Sequence, residues 1–133
     1  MRTVLTIAGS DSSGGAGIQA DLKTFAAFGL YGASAVTAVT VQSTLGIEAT
    51  LALQADLVTA QIEAVAGDLT IHATKVGMLS NAAIVEAVAA AIAELDLPLV
   101  VVDPVWSRRA VNACSTKTAC ARSAPNCCRV PAW

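Results

Sequence analysis

Short runs of β-branched residues alternate along this chain with stretches of helical periodicity, and that alternation limits the folds open to it. Strands are expected over residues 4–8, 33–42, 71–78 and 99–102, each rich in Val, Ile or Thr. Helices are expected between them over 17–28, 56–66 and 82–95, with Gly29 as a C-terminal cap and Asn81 as an N-cap. Strand–helix alternation with short connections builds a parallel sheet with right-handed crossovers. The composition agrees. Of the residues, 55% are hydrophobic and 14% charged, mostly Ala, Val, Leu and Ile, which suits strands covered on both faces.

A length of 133 residues sets an upper bound of one domain, large enough to bury a core. No apolar run reaches the ~18 residues of a membrane span, since Glu86, Glu94 and Asp96 interrupt the best candidate. The first residues do not read as a signal peptide, so a cytoplasmic location is expected. Charge is divided sharply. Ten acids against three bases (Arg2, Lys23, Lys75) leave residues 1–103 at −7, whereas residues 104–133 hold five bases and no acid, a net +5. All four cysteines and both tryptophans also lie beyond residue 103.

Between the first strand and the first helix runs Ala8-Gly9-Ser10-Asp11-Ser12-Ser13-Gly14-Gly15-Ala16-Gly17-Ile18-Gln19-Ala20-Asp21-Leu22-Lys23. Glycines let a backbone approach a ligand closely, and helix N-terminal N–H groups attract anions or polar ligands. The stretch lacks the Lys-Ser or Lys-Thr pair of a phosphate loop. Residues 15–20 read G-x-G-x-x-A, half of a dinucleotide fingerprint, but the strand ends too early and no ribose-binding acid closes the next strand. A ligand cradle, a dinucleotide site and a plain surface turn all stand as readings of this loop.

In parallel sheets ligands sit outside the carboxyl ends of the strands. There the sequence places Gly9 and Asp11, then Gln42, then Gly77 and Met78, then Asp103, with Asp21 expected in the first turn of the first helix. Such a pocket holds an amide, carboxylates, a thioether and bare backbone, chemistry for a small, neutral, hydrogen-bonding molecule with a flat apolar face. Each residue also has a plain structural reading. Asp21 suits a helix N-terminus, Gln42 a solvated strand end, Met78 a core gap and Asp103, before Pro104, a turn. His72 reads as structural. Lys75 lies mid-strand among apolar residues, and periodicity gives it no purpose.

Four ordered segments, A-G-S-D-S-S-G-G-A-G-I-Q-A-D-L-K-T-F (8–25), T-A-V-T-V-Q-S-T (37–44), K-V-G-M-L (75–79) and V-V-D-P-V (101–105), closely resemble one family. It is that of the hydroxymethylpyrimidine/phosphomethylpyrimidine kinases of thiamin biosynthesis, in the ribokinase-like superfamily. Pyridoxal kinases are cousins. The resemblance covers residues 3 to 105 and implies a three-layer α/β fold, a parallel sheet with flanking helices, of which some four strands fall in this chain. It implies transfer of the ATP γ-phosphate to 4-amino-5-hydroxymethyl-2-methylpyrimidine and then to its monophosphate, with Mg2+ beside the phosphates. By position it implies that Asp21 and Gln42 hydrogen-bond the aminopyrimidine, that Gly9 lies close to the ring and that Met78 packs on it. Asp103 falls near the metal and phosphates, with no catalytic residue carried over. A homodimer fits the same resemblance.

After Val105 the resemblance stops. The family continues D-P-V-M-x-A-K-S-G, whereas this chain reads Asp103-Pro104-Val105-Trp106-Ser107-Arg108-Arg109-Ala110. Residues 106–133 lack helical or strand periodicity, and a reading shifted back by one base can give M-V-A-K-S-G and an amphipathic continuation. Residues 1–105 are therefore expected to form the substrate side of a kinase domain, and 106–133 to be an out-of-frame tail without a fold. On that reading the chain is a truncated kinase, either inactive or a fragment with weak pyrimidine binding. Cys114, Cys120, Cys127 and Cys128 lack the paired spacing of a zinc site. The five scattered bases make no nucleic-acid footprint.

Overall fold

A computed structural model describes residues 1–104, and the expectations for the tail beyond them lie outside the described residues. The elements run β1 (Thr3–Ala8), α1 (Gly17–Ala27), β2 (Tyr31–Val36), β3 (Ala38–Ser43), β4 (Gly46–Ala52), α2 (Ala55–Asp68), β5 (Ile71–Val76), α3 (Ala82–Glu94) and β6 (Val100–Val102). Strands β2, β1, β5 and β6 form one sheet in that order, every pairing parallel. β3 and β4 form a separate antiparallel pair.

Strand alternation sorts the side chains of the sheet into two faces. Leu5 and Ile7 stand beside Ala33 and Ala35 of β2, and Ile7 beside Val76 of β5. These pack with Val58 and Ile62 of α2 and with Ile84, Val88 and Ala91 of α3 in one buried cluster. Leu5, Ile7, Val58, Ile62 and Ile84 are fully excluded from water, each contributing about 1.5–3 kcal/mol by burial. Residues of opposite parity face α1. A Cβ on Gly32 would stand 2.6 Å from Leu22 and 3.1 Å from Phe25, both on α1. The order of layers is therefore α1, sheet, then α2 with α3, the three-layer arrangement expected.

Local signals account for most element ends. Asn81 caps α3 by accepting a 2.9 Å hydrogen bond from the Ile84 amide. Gly29, at φ +69°, closes α1 in the left-handed conformation. Its N–H donates to the Ala26 carbonyl at 3.0 Å, and the Leu30 N–H donates to the Phe25 carbonyl at 2.9 Å, the two bonds of a Schellman motif.

The expected strand over 33–42 is two strands. At Thr37 the chain leaves the parallel sheet. The Thr37 amide donates to the Ala8 carbonyl at 3.0 Å, its hydroxyl donates to the Met78 carbonyl at 2.8 Å, and its own carbonyl accepts from Leu53 at 2.9 Å. Those three bonds fix the root of a hairpin whose return strand, β4, the sequence reading did not anticipate. Gln42 consequently lies on this hairpin and not at the end of a strand in the main sheet.

Candidate active site

β1 has β2 on one side and β5 on the other, so the strand order reverses at the β1–β5 junction. A crevice opens at such a reversal, outside the carboxyl ends of the two strands. The residues there are Gly9 after β1, and Gly77 and Met78 after β5. A Cβ on Gly9 would stand 2.5 Å from the Met78 methyl, so the thioether lies over bare backbone. Gly77 is equally confined, its Cβ position lying 2.9 Å from the Ala8 Cβ and 3.2 Å from Lys75 Nζ.

The glycine–serine loop leaves this crevice and is held by its own acid. Asp11 is 2% exposed. Its Oδ1 accepts from the Ser13 amide at 2.8 Å and the Ser13 hydroxyl at 2.7 Å, while Oδ2 accepts from the amides of Gly15 at 3.0 Å and Ala16 at 2.7 Å. The Ser13 hydroxyl does most to hold the Asp11 carboxyl below its ordinary range, burial opposes it, and the three backbone amides add to the lowering. The N–H groups that look like an anion cradle in the sequence are thus occupied by a carboxylate of the chain itself. This corrects the dinucleotide reading of residues 15–20, whose Gly15 and Ala16 amides are the ones Asp11 holds.

Further bonds lock the loop to its neighbours. Gln19 Oε1 accepts from the Asp11 amide at 2.8 Å, and the Gly9 carbonyl accepts from the Ile18 amide at 3.0 Å. Gly17 has φ +56°, and a Cβ there would collide with the Gly9 carbonyl oxygen, so only glycine fits. Along the hairpin, the Ser10 amide donates to Ala38 at 2.8 Å, and the Thr40 hydroxyl donates to the Ser10 carbonyl at 2.8 Å. Ser12 and Gln42 join two residues further on, which sets the Gln42 backbone beside the loop.

Asp21 lies on the α1 face of the sheet, past the first helical turn, which corrects the helix-dipole reading. Its Oδ2 accepts from the buried Thr6 hydroxyl at 2.6 Å, and Lys75 Nζ lies 2.9 Å from Oδ1 and 3.0 Å from Oδ2. The same ammonium stands 3.6 Å from Asp103 Oδ2. Asp103 is anchored by its amide, which donates to the Val76 carbonyl at 2.8 Å, while its side chain stays exposed. Gln42 is half-buried with Oε1 3.4 Å from the Thr40 hydroxyl.

The structure thus brings Gly9 and Met78 together, joins Asp21 to Asp103 through Lys75, and sets Gln42 on the hairpin side. Lys75 and Thr6 are what sequence reasoning missed. A lysine inside an apolar strand demands a counter-charge, and that was the available signal. His72, exposed on β5, accepts from the Thr3 amide at 3.2 Å where the β1–β5 register slips, in keeping with its structural reading.

A parallel sheet with helices on both faces and a reversal of strand order between β1 and β5 places the chain among the α/β proteins that take ligands at the carboxyl ends of their strands. The family model described as phosphomethylpyrimidine kinase matches residues 11–125, and the chain belongs to that family. It is 48% identical over 126 aligned residues to a hydroxymethylpyrimidine/phosphomethylpyrimidine kinase of Haemophilus influenzae, covering 88% of this chain and 47% of that protein. A Bacillus subtilis enzyme of the same description is 54% identical over 101 residues, covering 76% of this chain and 37% of the relative. Among solved structures, phosphomethylpyrimidine kinase from Clostridium difficile 630 superposes with a TM-score of 0.79 at 47% identity, covering 82% of this chain and 47% of that one. A Bacillus subtilis pyridoxal kinase solved as an ADP complex gives 0.75 at 39% identity, covering 86% and 44%. The chain therefore spans less than half the length of the relatives it matches. No helix among the described residues is long and apolar enough to cross a membrane.

Proposed function

We propose that this chain carries the acceptor side of an ATP-dependent kinase that phosphorylates 4-amino-5-hydroxymethyl-2-methylpyrimidine and then its monophosphate. The observation that carries the reading is the cluster at the β1–β5 reversal, with Gly9 under the Met78 thioether and the Asp21–Lys75–Asp103 array beside it. The Met78 methyl rests on Gly9, so a flat heteroaromatic ring reaches the bare backbone once that flexible side chain swings aside and then packs against its polarizable thioether. Asp21 has two oxygens with about four acceptor positions, of which Lys75 and Thr6 take three, leaving one for an exocyclic amine. The Gln42 amide offers both a donor and an acceptor to a ring nitrogen and its substituent.

Asp103 places one exposed carboxylate on the far side of Lys75. Mg2+ takes one or two carboxylates and completes its shell with phosphate and water, so Asp103 suits a metal carried in with ATP. When bound, that metal would neutralise charge on the transferring phosphate. Residues 1–105 form the substrate-side unit on this reading, and 106–133 an out-of-frame tail.

Calorimetric titration of the purified 133-residue chain with the hydroxymethylpyrimidine, with pyridoxal and with NAD tests the reading. Saturable binding of the pyrimidine is expected, with D21A and Q42L weakening it. Preference for pyridoxal would transfer the site to the cousin enzymes, and binding to none of the three would refute an acceptor site.

A further inference from the structure

Lys75 is the chain residue to which the sequence assigns no purpose, and the structure surrounds it with acids. Its ammonium touches both oxygens of Asp21, at 2.9 and 3.0 Å, and stands 3.6 Å from Asp103. Its side chain is 24% exposed and that of Asp21 16%, so the contact is partly shielded, unlike a solvated surface pair. The other cationic side chains of the described residues are Arg2, at the exposed N-terminus, and Lys23, whose Nζ donates to the Gly14 carbonyl at 2.8 Å. Among the described residues Lys75 is thus the one Lys or Arg paired with carboxylates.

The ammonium is also fixed in position. β5 supplies its backbone, with Lys75 opposite Thr6 of β1 and Val101 of β6. The Gly77 Cα packs so closely that an added Cβ would stand 3.2 Å from Nζ. Thr6 Oγ1, fully buried, completes the Asp21 shell from the strand floor. Asp21 is therefore held from two directions, and its remaining acceptor position is aimed by Lys75 and Thr6 together.

We propose that Lys75 is a positioning residue, whose single ammonium aligns the acceptor-binding carboxylate of Asp21 while tethering the phosphate-side carboxylate of Asp103. This rests on the acceptor-site reading above. One cation shared between two carboxylates keeps them from repelling one another, and it fixes the spacing between the group that grips the ring and the group that faces the phosphates. A point charge with three donors suits this better than a planar fork committed to one bidentate partner.

The test has a ligand-free arm and a ligand arm, both on the intact chain. In the first, nitrogen NMR follows the Lys75 ammonium in the wild type, D21N and D103N. Displacement of its resonance by each substitution is expected, and a resonance indifferent to D103N would overturn the shared tether. In the second, hydroxymethylpyrimidine affinity is measured for the wild type, K75M, K75R, D21N and K75M/D21N, with melting temperatures recorded alongside. K75M should weaken binding about tenfold or more, as for loss of a charge-assisted contact. K75R should restore part of the loss, and the double variant should bind no worse than the weaker single one. Additive losses, or K75M binding like the wild type with its fold intact, would overturn the positioning role. A wild type that binds no pyrimidine while the NMR arm succeeds would refute the acceptor reading and reduce Lys75 to a structural ion pair. Should K75M fail to fold, K75R and the NMR arm still decide.

Discussion

The hydroxyl of Ser12 meets both backbone groups of Gln42, accepting from its N–H at 2.7 Å and donating to its carbonyl at 2.8 Å. The β3–β4 register slips between Val41 and Gln42, so one side chain of the glycine–serine loop secures the residue at a bulge. A hydrogen bond of this kind contributes about 1 kcal/mol. Ser12→Ala should therefore raise the exchange rate of the Gln42 amide about fivefold while leaving the sheet amides of β1 protected. Hydrogen-exchange NMR reads this directly, and an unchanged Gln42 rate would show that the hairpin holds the residue unaided.

Gly9 and Gly17 predict opposite outcomes for the same substitution. At Gly17 an added Cβ meets the Gly9 carbonyl oxygen, in a backbone conformation at φ +56°. Gly17→Ala should cost more than about 3 kcal/mol in chemical denaturation. At Gly9 the obstacle is the far end of the Met78 side chain, which can swing away. Gly9→Ala should fold with a near-native melting temperature and bind the pyrimidine poorly. Equal stability of the two variants would contradict this account.

Thr74 carries a buried hydroxyl with no hydrogen-bond partner, on the face of the sheet that packs under α2 and α3. Valine has nearly the same shape and no polar atom to desolvate. Thr74→Val should raise stability by about 1 kcal/mol, visible as a melting temperature several degrees higher. A drop instead would reveal a buried water or another partner on the hydroxyl.

Asp11 predicts the sense of the acid response. Its carboxyl is held below the ordinary value in the folded chain, so the folded state favours the charged form. The stabilisation is complete above the unfolded value of about 3.9 and drains away as pH falls through the lower folded value. Asp11→Asn should lower stability at pH 7 and flatten its dependence on pH below about 4. Urea midpoints measured across that range check it, and an identical acid slope in the variant would dismiss Asp11 as the source.

The layered sheet was legible in the sequence because its signals are local. β-branched runs, Gly29 and Asn81 act within a few residues, and the structure places the corresponding elements within a few residues of expectation. The break at Thr37 was not legible. Residues 37–44 contain no glycine or proline, and bonds to Ala8, Met78 and Leu53 create the break from elsewhere in the chain. The β4 strand was hidden for a related reason. Its alternation of Ile47, Ala49 and Leu51 is short, and most of it is exposed, so it carries little amphipathic signal. Asp21 and Gln42 could be singled out by their place in the chain, but the partner of Asp21 lies 54 residues away. Spacing along the sequence contains no trace of such a pair.

The two sets of bonds in the glycine–serine loop differ in reach, and this gives the crevice an order of assembly. The contacts of Asp11 with Ser13, Gly15 and Ala16 span two to five residues and need only the loop itself. Those of Ser10 and Ser12 with Thr40 and Gln42 span 28 to 30 residues and require α1, β2 and the Thr37 corner to be in place first. Closing a long loop costs entropy that only later contacts return. The curl of the loop can therefore form early on the folding route, whereas the wall it shares with the hairpin follows later, and the β1–β5 pairing, of still longer reach, later again. The Asp21–Lys75 contact spans 54 residues and waits for β5 to join the sheet, so binding at this edge would report that folding had run to its end.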